Sequence, residues 1–209
     1  MTRLTDAVRL PRDFFERPVL DVAPDLLGCV VRHGDVAVRL TEVEAYAGTR
    51  DPGSHAFRGP TPRTQVMFGE AGHLYVYFTY GMHWCANLVC GPEGEASAVL
   101  LRAGEVVAGE TVVAERRPGV VARDRARGPA RLTRTLALDR AQDGLDVCAP
   151  DSPVVVSAPS EPHEATVRTG PRVGVSGPGG DGTAYPWRFW LEGEPTVSPY
   201  RPGVPRRRR

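Results

Sequence analysis

The run Thr41-Glu42-Val43-Glu44-Ala45-Tyr46 sets two carboxylates and a phenol at alternate positions. Side chains of an extended strand alternate between faces, so Glu42, Glu44 and Tyr46 share one face while Val43 and Ala45 take the other. The small apolar face belongs to a core. Two carboxylates on one face repel when both are ionised, and a carboxylate tuned in this way can take or give a proton at a reacting centre. The same pattern also fits a strand face turned to water, so the pair needs company before it means catalysis.

That company is aromatic and basic. Tyr75, Tyr77 and Tyr80, with Phe78 and Trp84, gather on and beside a tight turn at Tyr80-Gly81. Alternation in a strand explains Tyr75 and Phe78 as core residues. Tyr80 at a hairpin tip has no packing reason to be large, and an exposed ring beside positive charge is what opens a base stack. A tip aromatic can equally anchor a protein partner. Arg116, Arg117, Arg123, Arg125, Arg127, Arg131 and Arg134 crowd one region and Arg206 to Arg209 follow at the end, as contact with phosphates requires, although the net charge is only +1.

Glu42-Val43-Glu44-Ala45-Tyr46, His55, Thr61-Pro62-Arg63, Leu74-Tyr75-Val76-Tyr77 with Tyr80-Gly81-Met82, Asn87, Leu100-Leu101-Arg102-Ala103, Gly128-Pro129 and Arg172-Val173-Gly174-Val175 follow one another along the chain. No one of these motifs is specific. In this order, and covering nearly the whole chain, they resemble the alkyladenine (3-methyladenine) DNA glycosylase family, in its bacterial form. The resemblance implies a single α+β domain with a curved, mostly antiparallel sheet, flanking helices and a protruding hairpin that intercalates into DNA. It implies Glu44 as general base, Arg102 as the residue that helps hold Glu44 and the attacking water, and the main-chain carbonyl of Val175 as the completion of that water's cage. Tyr46, His55 and Tyr77 resemble the walls of a pocket that stacks a flipped base, and Asn87 the group that rejects the exocyclic amine of normal guanine. Tyr80 resembles the side chain that fills the gap left in the duplex. Thr61, Arg63, Met82, His83 and Arg131 match positions near the DNA backbone or groove. His83 stands where relatives commonly have Tyr, and Arg131 where Lys is usual; arginine keeps the phosphate charge and adds a planar fork.

The reaction so implied is hydrolysis of the N-glycosidic bond of a damaged purine in double-stranded DNA, leaving an abasic site. Cleavage develops positive charge on the sugar, which a carboxylate can stabilise while it deprotonates water. Arg102 beside Glu44 favours the ionised form of that carboxylate. Alkylated purines are themselves cationic and gain from the faces of Tyr46 and Tyr77; a neutral base needs a proton, for which His55 is the candidate. All 26 basic residues are arginine. With no lysine amine to form a Schiff base, the enzyme is expected to be monofunctional. No cofactor or metal is expected, since His83, Cys85 and Cys90 fit no standard zinc spacing. A non-catalytic damaged nucleic-acid binder has no use for Glu44 beside Arg102, and a nucleoside hydrolase has none for Tyr80 and the arginines.

The elements that must position these groups are short. Phe14-Phe15 and a helix over Pro24 to Leu27 come first, then a hairpin of Cys29 to Arg32 with Val36 to Tyr46. Thr49 to Glu70 is rich in Gly, Pro, Thr and Arg and reads as a long functional loop. His73 to Thr79 and Met82 to Cys90 make the second hairpin, Ala98 to Ala103 another strand, and Gly128-Pro129 opens a helix through Leu132, Leu136 and Leu138. Residues 104–127 form a variable, arginine-rich connection. Short strands over Val154 to Ser157, Thr166 to Val175 and Trp187 to Leu191 end the pattern. A chain of 209 residues, 41% hydrophobic, can bury one good core, so residues 1–209 are expected to be one domain with 201–209 a flexible basic tail. Cys29, Cys85, Cys90 and Cys148 form no Cys-x-x-Cys pair. No apolar run suits a bilayer and the N-terminus lacks a secretory signal, so the expectation is a cytoplasmic, nucleoid-associated monomer without a membrane partner.

Overall fold

The computed structural model describes residues 8–79, 81–159 and 163–204. Tyr80 and Arg206 to Arg209, singled out above, lie outside them. Two short helices, α1 (Arg12–Phe15) and α2 (Val19–Asp25), precede strands β1 (Val30–His33) and β2 (Val36–Tyr46). β3 (Leu74–Thr79), β4 (His83–Val89) and β5 (Ala98–Ala108) follow, then helices α3 (Glu110–Arg116) and α4 (Pro129–Leu136), and strands β6 (Val154–Ser157), β7 (Val167–Gly170) and β8 (Arg188–Leu191). The eight strands form one antiparallel sheet in the order β3-β4-β5-β2-β1-β6, with β8 paired to β2 and β7 to β8. This is the expected single α+β domain. Among the described residues no helix is long and apolar enough to cross a membrane.

β2 is the centre of the sheet. β5 runs along one edge of it, while β1 and β8 divide the other, β1 pairing with Val36 to Arg39 and β8 with Glu42 to Glu44. The β2–β5 ladder carries three irregularities, two of which compensate: Thr41 has no partner between Leu40↔Gly104 and Glu42↔Ala103, and Arg102 has none between Glu42↔Ala103 and Val43↔Leu101. A bulge bends the strand and re-aims the extra side chain. Gly104 is demanded at this crossing, because a β-carbon there would collide with the carbonyl of Arg39.

Period-two alternation divides the faces. Val43 and Ala45 of β2, Leu74 and Val76 of β3, and Ala86 and Leu88 of β4 join the main core with Phe15, Val22, Leu132 and Leu136 from the helices and Leu26 just after α2. A smaller core of Ala56, Met67, Tyr75, Val89, Ala96 and Ala98 lies under the long loop and gives it something to pack on. Phe78 continues the core row of β3, but it stands past the end of the core, 47% exposed against Trp84, and is not the core residue expected.

Several boundaries differ from those read in the sequence. The first well-formed helix begins after Pro18 and contains Pro24 in its last turn, so Pro18 and not Pro24 is the starting proline. β5 runs on to Ala108 and the arginine-rich connection holds α3, which packs on α4 through Arg116 Nη1 donating to the carbonyl of Thr135 at 2.7 Å. In the strand expected over Thr166 to Val175 only Val167–Gly170 pairs. The rest leaves the sheet and turns towards Glu44.

Candidate active site

The pocket face of the sheet carries the second set of alternate residues: Glu44 and Tyr46 on β2, Tyr75, Tyr77 and Thr79 on β3, His83, Cys85 and Asn87 on β4, and Leu100 and Arg102 on β5. Facing them are residues 52–55 of the long loop, Pro129 and Ala130 at the start of α4, and Val173 to Ser176. Between them lies a cavity of about 870 Å³. That is ample for a purine with its sugar, within the range of about 300–1,000 Å³ common to ligand pockets.

Glu44 is held by three donor groups. Its Oε1 accepts the backbone N–H of Val173 at 2.7 Å and lies 3.2 Å from Arg102 Nη1; its Oε2 accepts the hydroxyl of Tyr46 at 2.8 Å. The side chain has no accessible surface although it lines the cavity. The tyrosine hydroxyl, desolvated and next to a carboxylate, is pushed well above its ordinary value and stays a donor. Arg102 bridges the two carboxylates: its Nε donates to Glu42 Oε1 at 2.8 Å, and Nη2 to Ser198 Oγ at 3.3 Å. Although burial opposes its charge, Glu44 and Glu42 hold it above the usual arginine value. Glu42 itself does not line the cavity. It is buried beneath Arg102, Arg188 and the N–H and Oγ of Ser198, so it anchors the arginine that flanks Glu44.

The expected pocket residues converge. His55 meets the Tyr77 ring edge-on at 4.6 Å, and Tyr75 stacks behind Tyr77 at 5.3 Å and 29°. Asn87 is buried on the cavity wall, its Nδ2 donating to the Tyr75 carbonyl at 3.0 Å. His55 is open towards the cavity mouth yet crowded by protein, and desolvation, with Arg63 second, pushes it down to about 4. It is therefore neutral at neutral pH and poorly suited to give a leaving base a proton. Each tyrosine wall already bears a guanidinium: Arg172 lies 4.5 Å from the Tyr46 centroid and Arg63 5.0 Å from that of Tyr77. A ring so occupied attracts a second cation less, so stacking is a stronger basis for these residues than selectivity for charge.

The remaining expected residues spread around the cavity. Val175 is on its wall, with its carbonyl packed against Gly180 and Gly203. His83 is at the rim; Met82 is 68% exposed beside the turn. Thr61 is exposed and closes its own turn through hydroxyl and backbone bonds with Thr64. Among the arginines of residues 116–134, Arg125 is paired with Glu110, Arg127 donates to Val197 O at 2.9 Å, and Arg123 lies 3.5 Å from Asp124. Arg117, Arg131 and Arg134 make no ion pair among the described residues. Arg131 and Arg134 share the exposed face of α4, and Arg117 is pushed down by desolvation and by these two charges. Among the described residues no three His, Cys, Asp or Glu side chains cluster as a metal site needs.

Sequence reasoning missed the second half of the constellation: the Val173 N–H, the Tyr46 hydroxyl as a partner of Glu44, Glu42 as anchor, and the buried pair of Arg172 with Asp51. Asp51 lies 121 residues from Arg172, and nothing local marks the two as partners. The one available signal was the Arg172-Val173-Gly174-Val175 run, of which only Val175 was given a role.

The chain matches the family model described as methylpurine-DNA glycosylase over residues 13–195. It is 55% identical over the whole of both chains to a Streptomyces avermitilis protein named "Putative 3-methyladenine DNA glycosylase". Proteins of the same name from Frankia casuarinae and Leifsonia xyli are 56% and 57% identical; the matches cover 94% of both chains in the first case, and 91% of this chain and 92% of the relative in the second.

Proposed function

Because the chain belongs to the methylpurine-DNA glycosylase family, we propose that Glu44 is the general base of a hydrolase that removes damaged purines from duplex DNA. It acts on N-glycosyl bonds of DNA, as the family does. The purine, everted from the stack, enters between Tyr46, His55 and Tyr77, with Asn87 at its edge to reject normal guanine. Glu44 takes a proton from water as the water oxygen bonds to the anomeric carbon. The bonding pair of the N-glycosidic bond leaves with the base, and an abasic sugar remains. Arg102 holds Glu44 in place, and the Val175 carbonyl helps hold the water. Glu44 Oε2 has a single partner and so retains a lone pair for that water, which reaches it as the wall opens on the incoming base.

Tyr80 fills the gap left in the duplex, on a hairpin whose flanks, Phe78 and Met82, are open to solvent. Thr61, Arg63, Met82 and His83 border the DNA, and Arg131, with Arg117 and Arg134, neutralises backbone phosphates. The enzyme works as a cytoplasmic monomer at the nucleoid, and without lysine it is monofunctional.

The observation that carries this reading is a carboxylate ringed by Val173, Tyr46 and Arg102 at the wall of a cavity large enough for a nucleoside. Incubation with alkylated duplex DNA is expected to release methylated purine, identified by mass, and to leave the strand unbroken. Glu44→Gln is expected to bind the same DNA and release nothing. Release by that variant, or a strand nick by the purified wild type, sinks the reading.

A further inference from the structure

Among the described residues, Arg172 is the largest side chain wholly withdrawn from solvent. Its Nη1 donates to Asp51 Oδ2 at 2.6 Å and to the Ala45 carbonyl at 3.1 Å; Nη2 donates to Asp51 Oδ1 at 2.7 Å and to the Gly179 carbonyl at 2.8 Å. The guanidinium lies over the Tyr46 ring at 4.5 Å, with Trp187 at 5.4 Å. A fork paired bidentately and tied to two carbonyls cannot turn without breaking several bonds together. Asp51 in turn accepts the N–H groups of Ala47 and Gly53. At Gly179 a β-carbon would collide with the backbone of Gly53, so the turn at 178–180 and the loop at 51–53 close on this pair.

Every segment joined by this clamp leads to Glu44. The residue after Arg172 is Val173, whose N–H is on Glu44 Oε1 at 2.7 Å. The ring that Arg172 covers belongs to Tyr46, whose hydroxyl is on Oε2 at 2.8 Å. Ala45, whose carbonyl it binds, stands between the two residues on β2. We propose that Arg172, locked by Asp51, is a positioning residue that fixes both neutral donors on Glu44 and so aims its carboxylate, an inference that rests on Glu44 being the general base.

A buried ion pair with no such role would hold the fold and nothing more. The two roles differ in what they move. Misplacing a reacting group by about 1 Å costs up to about 100-fold in rate without touching remote binding contacts. The test compares Asp51→Asn, which keeps the shape of the clamp, with Arg172→Lys, which keeps charge and loses the fork. Each is assayed by single-turnover cleavage of alkylated duplex DNA across pH, at a temperature where circular dichroism shows it folded. Rates are expected to fall about 10–100-fold, with DNA affinity within about threefold of wild type. The pH dependence of the rate is expected to differ from that of wild type, because both the donors and the charge around the carboxylate have changed. Asp51→Asn at the wild-type rate with an unmoved pH profile overturns the proposal, even if Arg172→Lys fails to fold. Glu44→Gln in the same assay separates the two readings: activity in that variant removes the general base itself, whereas an inactive Glu44→Gln beside a fully active Asp51→Asn removes only the clamp.

Discussion

Glu42 and Glu44 stand on the same face of one strand, neither exposed to solvent, yet their surroundings have little in common. Glu42 is covered by Arg102, Arg188 and Ser198, brought in by β5, β8 and the segment after it, and all four donors come from protein. Glu44 shares Arg102, but its other donors are a backbone N–H and a tyrosine hydroxyl, and beyond them lies the cavity. One strand pattern thus yields an anchor and a base. The difference is set by what crosses over each residue, not by the residues themselves.

Exchanging each carboxylate for its amide tests that division most directly. Glu44→Gln is expected to lower single-turnover cleavage by at least the roughly 100- to 10,000-fold typical of a lost general base, with the thermal unfolding midpoint nearly unchanged. Glu42→Gln leaves the buried Arg188 without its counter-charge and Arg102 with Glu44 alone, and is expected to cost about 3–5 kcal/mol of stability. Its folded fraction keeps Glu44 and loses rate only through a less firmly held Arg102. If the two variants lose rate equally while both stay stable, the separation into anchor and base is wrong.

Tyr46 sharpens the comparison, because its hydroxyl bonds Glu44 from the wall of the cavity, whereas the Ser198 hydroxyl on Glu42 is buried away from it. Tyr46→Phe keeps the ring against Arg172 and removes one hydrogen bond to a charged oxygen, a loss expected to slow cleavage about tenfold. Binding of duplex DNA and stability should hardly change. A rate within twofold of wild type would leave the Val173 N–H and Arg102 as the only donors that matter to the base.

The strand pattern made one side of this constellation legible and hid the other. Alternation correctly put Glu44 and Tyr46 opposite Val43 and Ala45, because strand geometry is local, whereas Tyr77 and Asn87 came from the resemblance alone. Phe78 broke the rule where the core ended, and no local pattern marks that edge. Arg102 was recognised, but its bulge, which lets one side chain reach both carboxylates, depends on a register slip shared by two strands. The clamp at Arg172 was invisible for a simpler reason: its partner sits in an irregular loop far along the chain, where neither period nor spacing carries information. Glu42 was read as one half of a repelling pair, whereas the cations from β5 and β8 turn it into a settled carboxylate.

That settled state has a consequence at low pH. Burial alone would raise the Glu42 value, but Arg102, Arg188 and the Ser198 donors prevail and hold it below the ordinary 4.5. A folded-state value lower than the unfolded one stabilises the protein fully above the ordinary carboxylate range, and that contribution is lost as pH falls through the lower folded value. Asp146, held low against burial by the Cys148 N–H and Arg12, adds a slope of the same sign, but it does so in wild type and Glu42→Gln alike. The stability gap between those two proteins therefore isolates Glu42. Denaturant unfolding from neutral pH down to about pH 3 should show the gap narrowing as the wild type takes up the proton that the variant cannot. A gap of constant width would mean that Glu42 is not held as a buried anion, and its contrast with Glu44 would then have to rest on solvent access alone.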